Sequence, residues 1–176
     1  MSHGSAAARA ALRARALRLL AQREHSRAEL QRKLGRVRSG KPEAEAEPAP
    51  ELLAQVLDEL QAQGLLDEQR FARSLARRVA RGHGSMRVLG ELRQHRLDEQ
   101  LVQQALRDAQ QELEPEAERA LALLRKHHPQ PAADSRQLAR QMRFLQRRGF
   151  GSAAIRQALR AHGAPADLSE DAAMRD

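Results

Sequence analysis

Eight arginines carry the most specific chemistry in this chain of 176 residues. Arg70, Arg73, Arg77 and Arg81 recur at steps of three and four, and so do Arg136, Arg140, Arg143 and Arg147. At about 100° per residue, the first four fall within about 80° of one another on a helix. Phe71, Ala72, Leu75, Ala76 and Val79 then occupy the opposite side. The second four line the side opposite Leu138, Met142 and Leu145. A guanidinium is always charged and presents its donors as a planar fork, so a row of them suits a polyanion, whether phosphate backbone or acidic protein surface. Both rows are nearly free of carboxylates at i,i+4 spacing. Each also runs into a glycine turn, RGHGS at 81–85 and RGFGS at 148–152. A new helix is expected there, with its first amides open to an anion.

Other chemistry is poorly represented. Seven histidines are scattered, and none pairs with another at a metal-binding spacing beside an acidic partner. His127 and His128 are adjacent and point to different sides of a helix end. The segment GHGS at 82–85 has neither a preceding strand nor a G-K-[ST] ending, so it is not a P-loop. Cysteine is absent, which removes disulfides, thiol catalysis and the usual structural zinc sites. The expectation is a non-enzymatic protein with no catalytic residues, no metal and no cofactor.

The elements that must position the arginines follow from composition. Five Val, one Ile and no Thr are the whole β-branched complement, and Tyr and Trp are missing. Strands have almost no material to form from, whereas Leu, Ala, Arg, Gln and Glu favour helices. The chain is therefore expected to be all-α. Starts and stops predict helices over 9–22, 26–35, 51–63, 67–81, 85–95, 98–112, 115–127, 134–148 and 152–162. No run approaches the roughly 18 apolar residues of a membrane span. The arginine-studded stretch AAARAALRARALRLLAQ lacks a continuous apolar core and reads as a first helix of a cytoplasmic protein rather than a secretory leader.

One phrase occurs three times: REHSRAELQRKL (23–34), RGHGSMRVLGEL (81–92) and RRGFGSAAIRQAL (147–159). Aligned by their turns, His25, His83 and Phe150 share a position. Leu30, Val88 and Ile155 share another, and Leu34, Leu92 and Leu159 a third. The last two are i,i+4 neighbours on one buried face. Ser26 to Glu29 has the pattern of a capping box, and Ser85 and Ser152 are N-cap candidates. Asp67 in GLLDEQ and Asp98 in HRLDEQ are further helix caps. Packing is the expected role of His25 and His83, by analogy with Phe150.

Such repetition predicts a tandem array of three three-helix repeats, elongated and curved, stacking neighbours to bury their apolar faces. The repeats are placed at 9–64, with a Pro/Gly/Ala/Glu-rich flexible insertion at 35–50, then at 65–112 and 113–163. An acidic tail follows at 164–176. The net charge of +8 alternates along the chain. Blocks 1–40, 70–96 and 121–163 are basic and contain one copy of the phrase each, while 41–69, 97–120 and 164–176 are acidic.

Helix, short turn and helix also describe a helix-turn-helix DNA reader, with 26–35, 85–95 and 152–162 as recognition helices. Asparagine is absent, which removes its bidentate contact to adenine, so phosphate contact is favoured over base reading. Scarce exposed aromatics argue against a base-stacking platform. A DNA-binding transcriptional regulator stands as the alternative, and an inert helical scaffold is a third reading.

The segment VLDELQAQGLLDEQRFARSLARRVARGHGSMRVLGELRQHRLDEQLVQQAL (56–106), with FLQRRGFGSAAIRQAL (144–159) and ALRLLAQREHSRAELQRKL (16–34), closely resembles the RecX family of bacterial recombination regulators. The resemblance spans roughly 10–162, while the 35–50 insertion and the acidic tail depart from the family's compact spacing. It implies tandem three-helix repeats and no enzymatic activity. It further implies binding to the RecA recombinase, along the groove of its nucleoprotein filament. Inhibition of filament extension, ATPase, strand exchange and coprotease activity would follow, with weak non-specific affinity for DNA. The partners expected are thus a RecA filament and the DNA phosphate backbone, engaged by a monomer. The eight arginines named above are the expected RecA/DNA-binding surface.

Overall fold

The structure, a computed structural model, describes residues 3–36 and 48–164. Most of the expected insertion and all but the first residue of the acidic tail lie outside these. The described residues form nine α-helices: α1 (His3–Leu20), α2 (Arg27–Gly35), α3 (Pro50–Ala62), α4 (Glu68–Ala80), α5 (Ser85–Arg93), α6 (Glu99–Glu112), α7 (Glu116–His127), α8 (Ser135–Arg147) and α9 (Ser152–Ala161). From α2 onward every boundary lies within two residues of the sequence expectation, and α1 begins earlier. No strand is present among the described residues. The fold is an all-α repeat array.

Side-chain caps explain several helix starts. Asp98 accepts the amide of Gln100 at 2.8 Å, and Asp134 that of Gln137 at 2.7 Å. Asp67 accepts the amides of Gln69 and Arg70 at 2.8 and 3.0 Å. Each satisfies donors that the first helical turn leaves without an intrahelical partner. Ser26 accepts the Glu29 amide at 3.1 Å, so half of the expected capping box forms. The Glu29 carboxylate does not return to the cap and instead engages Arg23 at 2.5 Å and Lys33 at 3.1 Å. The N-caps of α5 and α9 are Gly84 and Gly151, one residue ahead of the serines expected there.

Two compact units divide the chain. Of the described residues, the first comprises those up to Ser74 with 95–97, and the second 75–94 with those from Asp98 onward. In the first, α1, α2 and α3 pack together around Leu12, Ala16, Leu30, Leu34, Leu53, Val56, Leu57, Leu60 and Leu66. His25 is buried there at 1 % exposure, with Nδ1 3.0 Å from a Glu29 oxygen. In the same unit His95 packs edge-on to Phe71 at 4.7 Å and reaches Ser26 Oγ at 3.2 Å.

In the second unit α5 packs on α6, and α9 packs on both α7 and α8. Leu124, Leu138, Leu145, Phe150, Ile155 and Leu159 lie at its centre. The aligned positions Leu30, Val88 and Ile155, and Leu34, Leu92 and Leu159, are all buried as the repeat requires. His83 departs from the pattern. It is half-buried and approaches the Val79 carbonyl at 3.3 Å, whereas His25 and Phe150 are buried.

Candidate polyanion-binding surface

α4 is a helix because Glu68–Ala80 contains no glycine, no proline and a capping aspartate immediately before it. Its apolar side is buried through Phe71, Ala72, Leu75, Ala76 and Ala80. Arg70, Arg73 and Arg77 are thereby held on the exposed side, and Arg81 follows in the turn, also exposed. α8 is built the same way. Leu138, Gln141 and Leu145 are buried, and Arg136, Arg140, Arg143 and Arg147 are all exposed.

The two rows differ in what neutralises them. Arg70 forms ion pairs with Glu24 at 2.9 Å and Asp67 at 3.2 Å, and donates to the Gly64 carbonyl at 2.8 Å. Its acidity is lowered further by these partners, the Glu24 hydrogen bond first among them. Arg77 pairs with Glu112, and Arg73 is engaged as well. The compensation that the sequence did not show at i,i+4 comes from Glu24 in the turn between α1 and α2, from Asp67 just before α4, and from Glu112 at the end of α6. On α8 the expectation holds. Among the described residues, no carboxylate lies within ion-pair distance of Arg136, Arg140, Arg143 or Arg147. Exposed ion pairs are weak, so the α4 row can exchange partners, whereas among the described residues the α8 row has none to exchange.

The expectation of open helix amides at the repeated turns is corrected at the start of α5 and, at α9, for the Gly151 amide alone. The half-buried carboxylate of Glu116, the first residue of α7, accepts the Ser85 amide at 2.9 Å and the Ser85 hydroxyl at 2.5 Å. It also accepts the Gly151 amide at 3.2 Å. One protein carboxylate thus fills the anion position at the start of α5 and takes the N-cap amide of α9 as well. Beside it the turns meet backbone to backbone. Gly84 donates its amide to the Arg148 carbonyl and Met86 to the Gly149 carbonyl, both at 3.0 Å. A Cβ at Gly84 would lie closer than 3.0 Å to Gly149 and Phe150 backbone atoms. Arg119 closes the joint by donating to the carbonyls of Ala80 and, at 2.9 Å, His83. Nothing within either copy of the phrase announces Glu116. The only signal was an acidic residue in the first turn of the helix between them.

Sequence reasoning also missed the surroundings of Phe144. The Arg148 guanidinium lies 4.3 Å from its ring centroid, and the rings of His128 and His127 lie at 4.9 and 5.3 Å. His128 is held below the usual histidine range by burial first and then by Arg140, His127 and His162, so it is neutral at pH 7. No group of acidic and histidine side chains among the described residues is arranged to hold a metal. No described helix is long and apolar enough to cross a membrane.

Helices alone among the described residues, repeated in groups of three and capped by aspartates and glycines, define an all-α helical-repeat protein. The profile of the RecX second three-helix domain matches residues 67–106 and that of the RecX third three-helix domain matches 114–159. The regulatory protein RecX of Leptothrix cholodnii is 44 % identical over 150 residues, covering 85 % of this chain and 87 % of the relative. That of Ralstonia pickettii is 38 % identical, with 94 % of each chain covered. The crystal structure of RecX from Lactobacillus salivarius superposes with a TM-score of 0.67 over 89 % of this chain and 97 % of its own, at 17 % identity. The chain belongs to the RecX family of regulatory proteins.

Proposed function

We propose that this protein regulates recombination and DNA repair by binding RecA and its nucleoprotein filament, as the family resemblance implies. Occupancy of the filament groove would inhibit filament extension, ATPase, strand exchange and coprotease activity without chemistry of the regulator's own. The observation that carries this reading is the exposed α8 row, whose four arginines have no carboxylate partner among the described residues. A filament groove offers both phosphates and acidic protein surface, and either complements such a row. The α4 row is assigned to the same task, with Arg70 and Arg77 exchanging Glu24 and Glu112 for the partner. A cytoplasmic monomer fits this role.

The helix-turn-helix alternative has less support. Such readers place the N-terminal residues of the second helix against base edges. Here Ser85 and Gly151 face Glu116, and the start of α5 is bonded to the turn before α9.

The test is RecA-catalysed ATP hydrolysis on single-stranded DNA with the full chain titrated in. Hydrolysis is expected to fall at substoichiometric regulator. Replacing Arg136, Arg140, Arg143 and Arg147 together by glutamate should abolish the effect while helicity is unchanged. Undiminished hydrolysis with excess wild-type chain overturns the proposal, and full inhibition by the folded variant removes the α8 row from it.

A further inference from the structure

Phe71 and Phe150 are buried at 2 % and 4 % exposure, but Phe144 stays half-buried at the surface. It stands one turn after Arg140 and one turn before Arg148, so Arg136, Arg140, Phe144 and Arg148 form a single i,i+4 ridge. The register that matches His83 to Phe150 sets Arg73 against Arg140 and Arg81 against Arg148. It sets Arg77 against Phe144. The third repeat therefore has an aromatic ring where the second has a cation, and two more rings from the end of α7 gather around it. His127 is exposed, and the backbone of His128 is fixed by His162, whose Nε2 lies 2.8 Å from the His128 carbonyl oxygen.

We infer that Phe144, Arg148 and His127 form a stacking site for the bases of single-stranded nucleic acid, beside the α8 arginines that contact its phosphates. The inference rests on the reading of α8 as a polyanion surface and deepens it. It reverses the expectation against base stacking, because two histidine rings and a guanidinium supplement the one aromatic. A guanidinium plane backed by an aromatic face presents a flat, polarisable surface to a base, and every base has a π-face to match. The ring of His127 offers a second such surface at the edge of the first. An acidic peptide would use the arginines but has no planar group for the rings. A duplex would satisfy the arginines with its bases already stacked.

Fluorescence anisotropy of the full chain with a labelled oligothymidylate of about 12 nucleotides, against an abasic strand of equal length, tests this. The base-bearing strand should bind about tenfold more tightly, as expected for one or two stacked bases. Arg148→Lys, which keeps the charge and loses the plane, and His127→Ala should each bring the ratio toward one by weakening the base-bearing strand more than the abasic strand. Because the chain has no Trp or Tyr, Phe144→Trp reports directly, and its emission should be quenched by unlabelled oligothymidylate. Equal affinity for both strands overturns stacking and leaves the arginine reading standing. Binding of neither strand overturns the stacking site and the phosphate contact of α8, and leaves the regulatory reading to the ATP-hydrolysis test. Preference for polyglutamate over both strands assigns the surface to acidic protein and also overturns the stacking site.

Discussion

Glu116 and Ser85 meet through two hydrogen bonds, amide and hydroxyl both donating to one carboxylate at 2.9 and 2.5 Å. The same carboxylate takes the Gly151 amide, so one side chain caps two helices from two repeats. Removing it strands donors at both starts, and hydrogen bonds to a charged group contribute about 1.5–3 kcal/mol. Glu116→Ala should therefore lower the unfolding free energy by about 2–3 kcal/mol in urea titration, and Glu116→Gln by less. A loss under about 0.5 kcal/mol would show that the double cap is not a stabilising contact.

Two neighbouring glycines make a sharp contrast. A Cβ on Gly84 collides with backbone atoms of Gly149 and Phe150, which have no rotamer by which to retreat. A Cβ on Gly82 meets nothing within 4 Å. Gly84→Ala should cost about 2 kcal/mol or more, in the range of overpacking a tight contact. Gly82→Ala should be neutral or slightly stabilising, because it restricts the unfolded chain. Equal effects of the two on the thermal midpoint would contradict the backbone contact described here.

Glu29 sets an acid limit on the first unit. Burial pushes its carboxyl upward, but hydrogen bonds from Arg23, Lys33 and His25 outweigh burial and hold it at about 2, against an ordinary value of 4.5. His25 itself is held below 6.5, chiefly by burial. It is neutral at pH 7, which leaves Arg23 and Lys33 as the charges facing the carboxylate. A carboxyl whose folded pKa is depressed contributes stability above its unfolded pKa and loses it as pH falls toward the folded value. The wild type should lose about 3 kcal/mol between pH 4.5 and about 2 through this group. Urea midpoints measured across that range should fall less steeply for Glu29→Gln, and identical slopes would remove Glu29 from the acid transition.

The helices were legible because local signals agree. Asp67 and Asp98 cap where they were expected to, and the 3.6-residue spacing of Leu138 and Leu145 settles which side of α8 is buried. The arginines' exposure followed from the same arithmetic. Their neutralisation did not, since Glu24 and Glu112 lie far along the chain from Arg70 and Arg77, and only tertiary packing brings them together. Glu116 was hidden for the same reason. Phe144 escaped because a ring on the flank between the arginine and leucine sides reads as core until its neighbours on α7 are known. Ser85 was misplaced by one position because Gly84 caps equally well when a carboxylate from elsewhere serves the serine.

The backbone contact between the two glycine turns has a consequence for cooperativity. In a plain stack of repeats, each unit holds its own hydrogen bonds and an end repeat can open while its neighbour stays closed. Here the amides of Gly84 and Met86 are satisfied by carbonyls on the far side of the joint. Separating the turns leaves donors and acceptors bare on both at once, with Glu116 released from both helix starts in the same event. Residues 82–87 and 148–152 thus belong to one foldon, and partial unfolding of the second unit has to begin elsewhere.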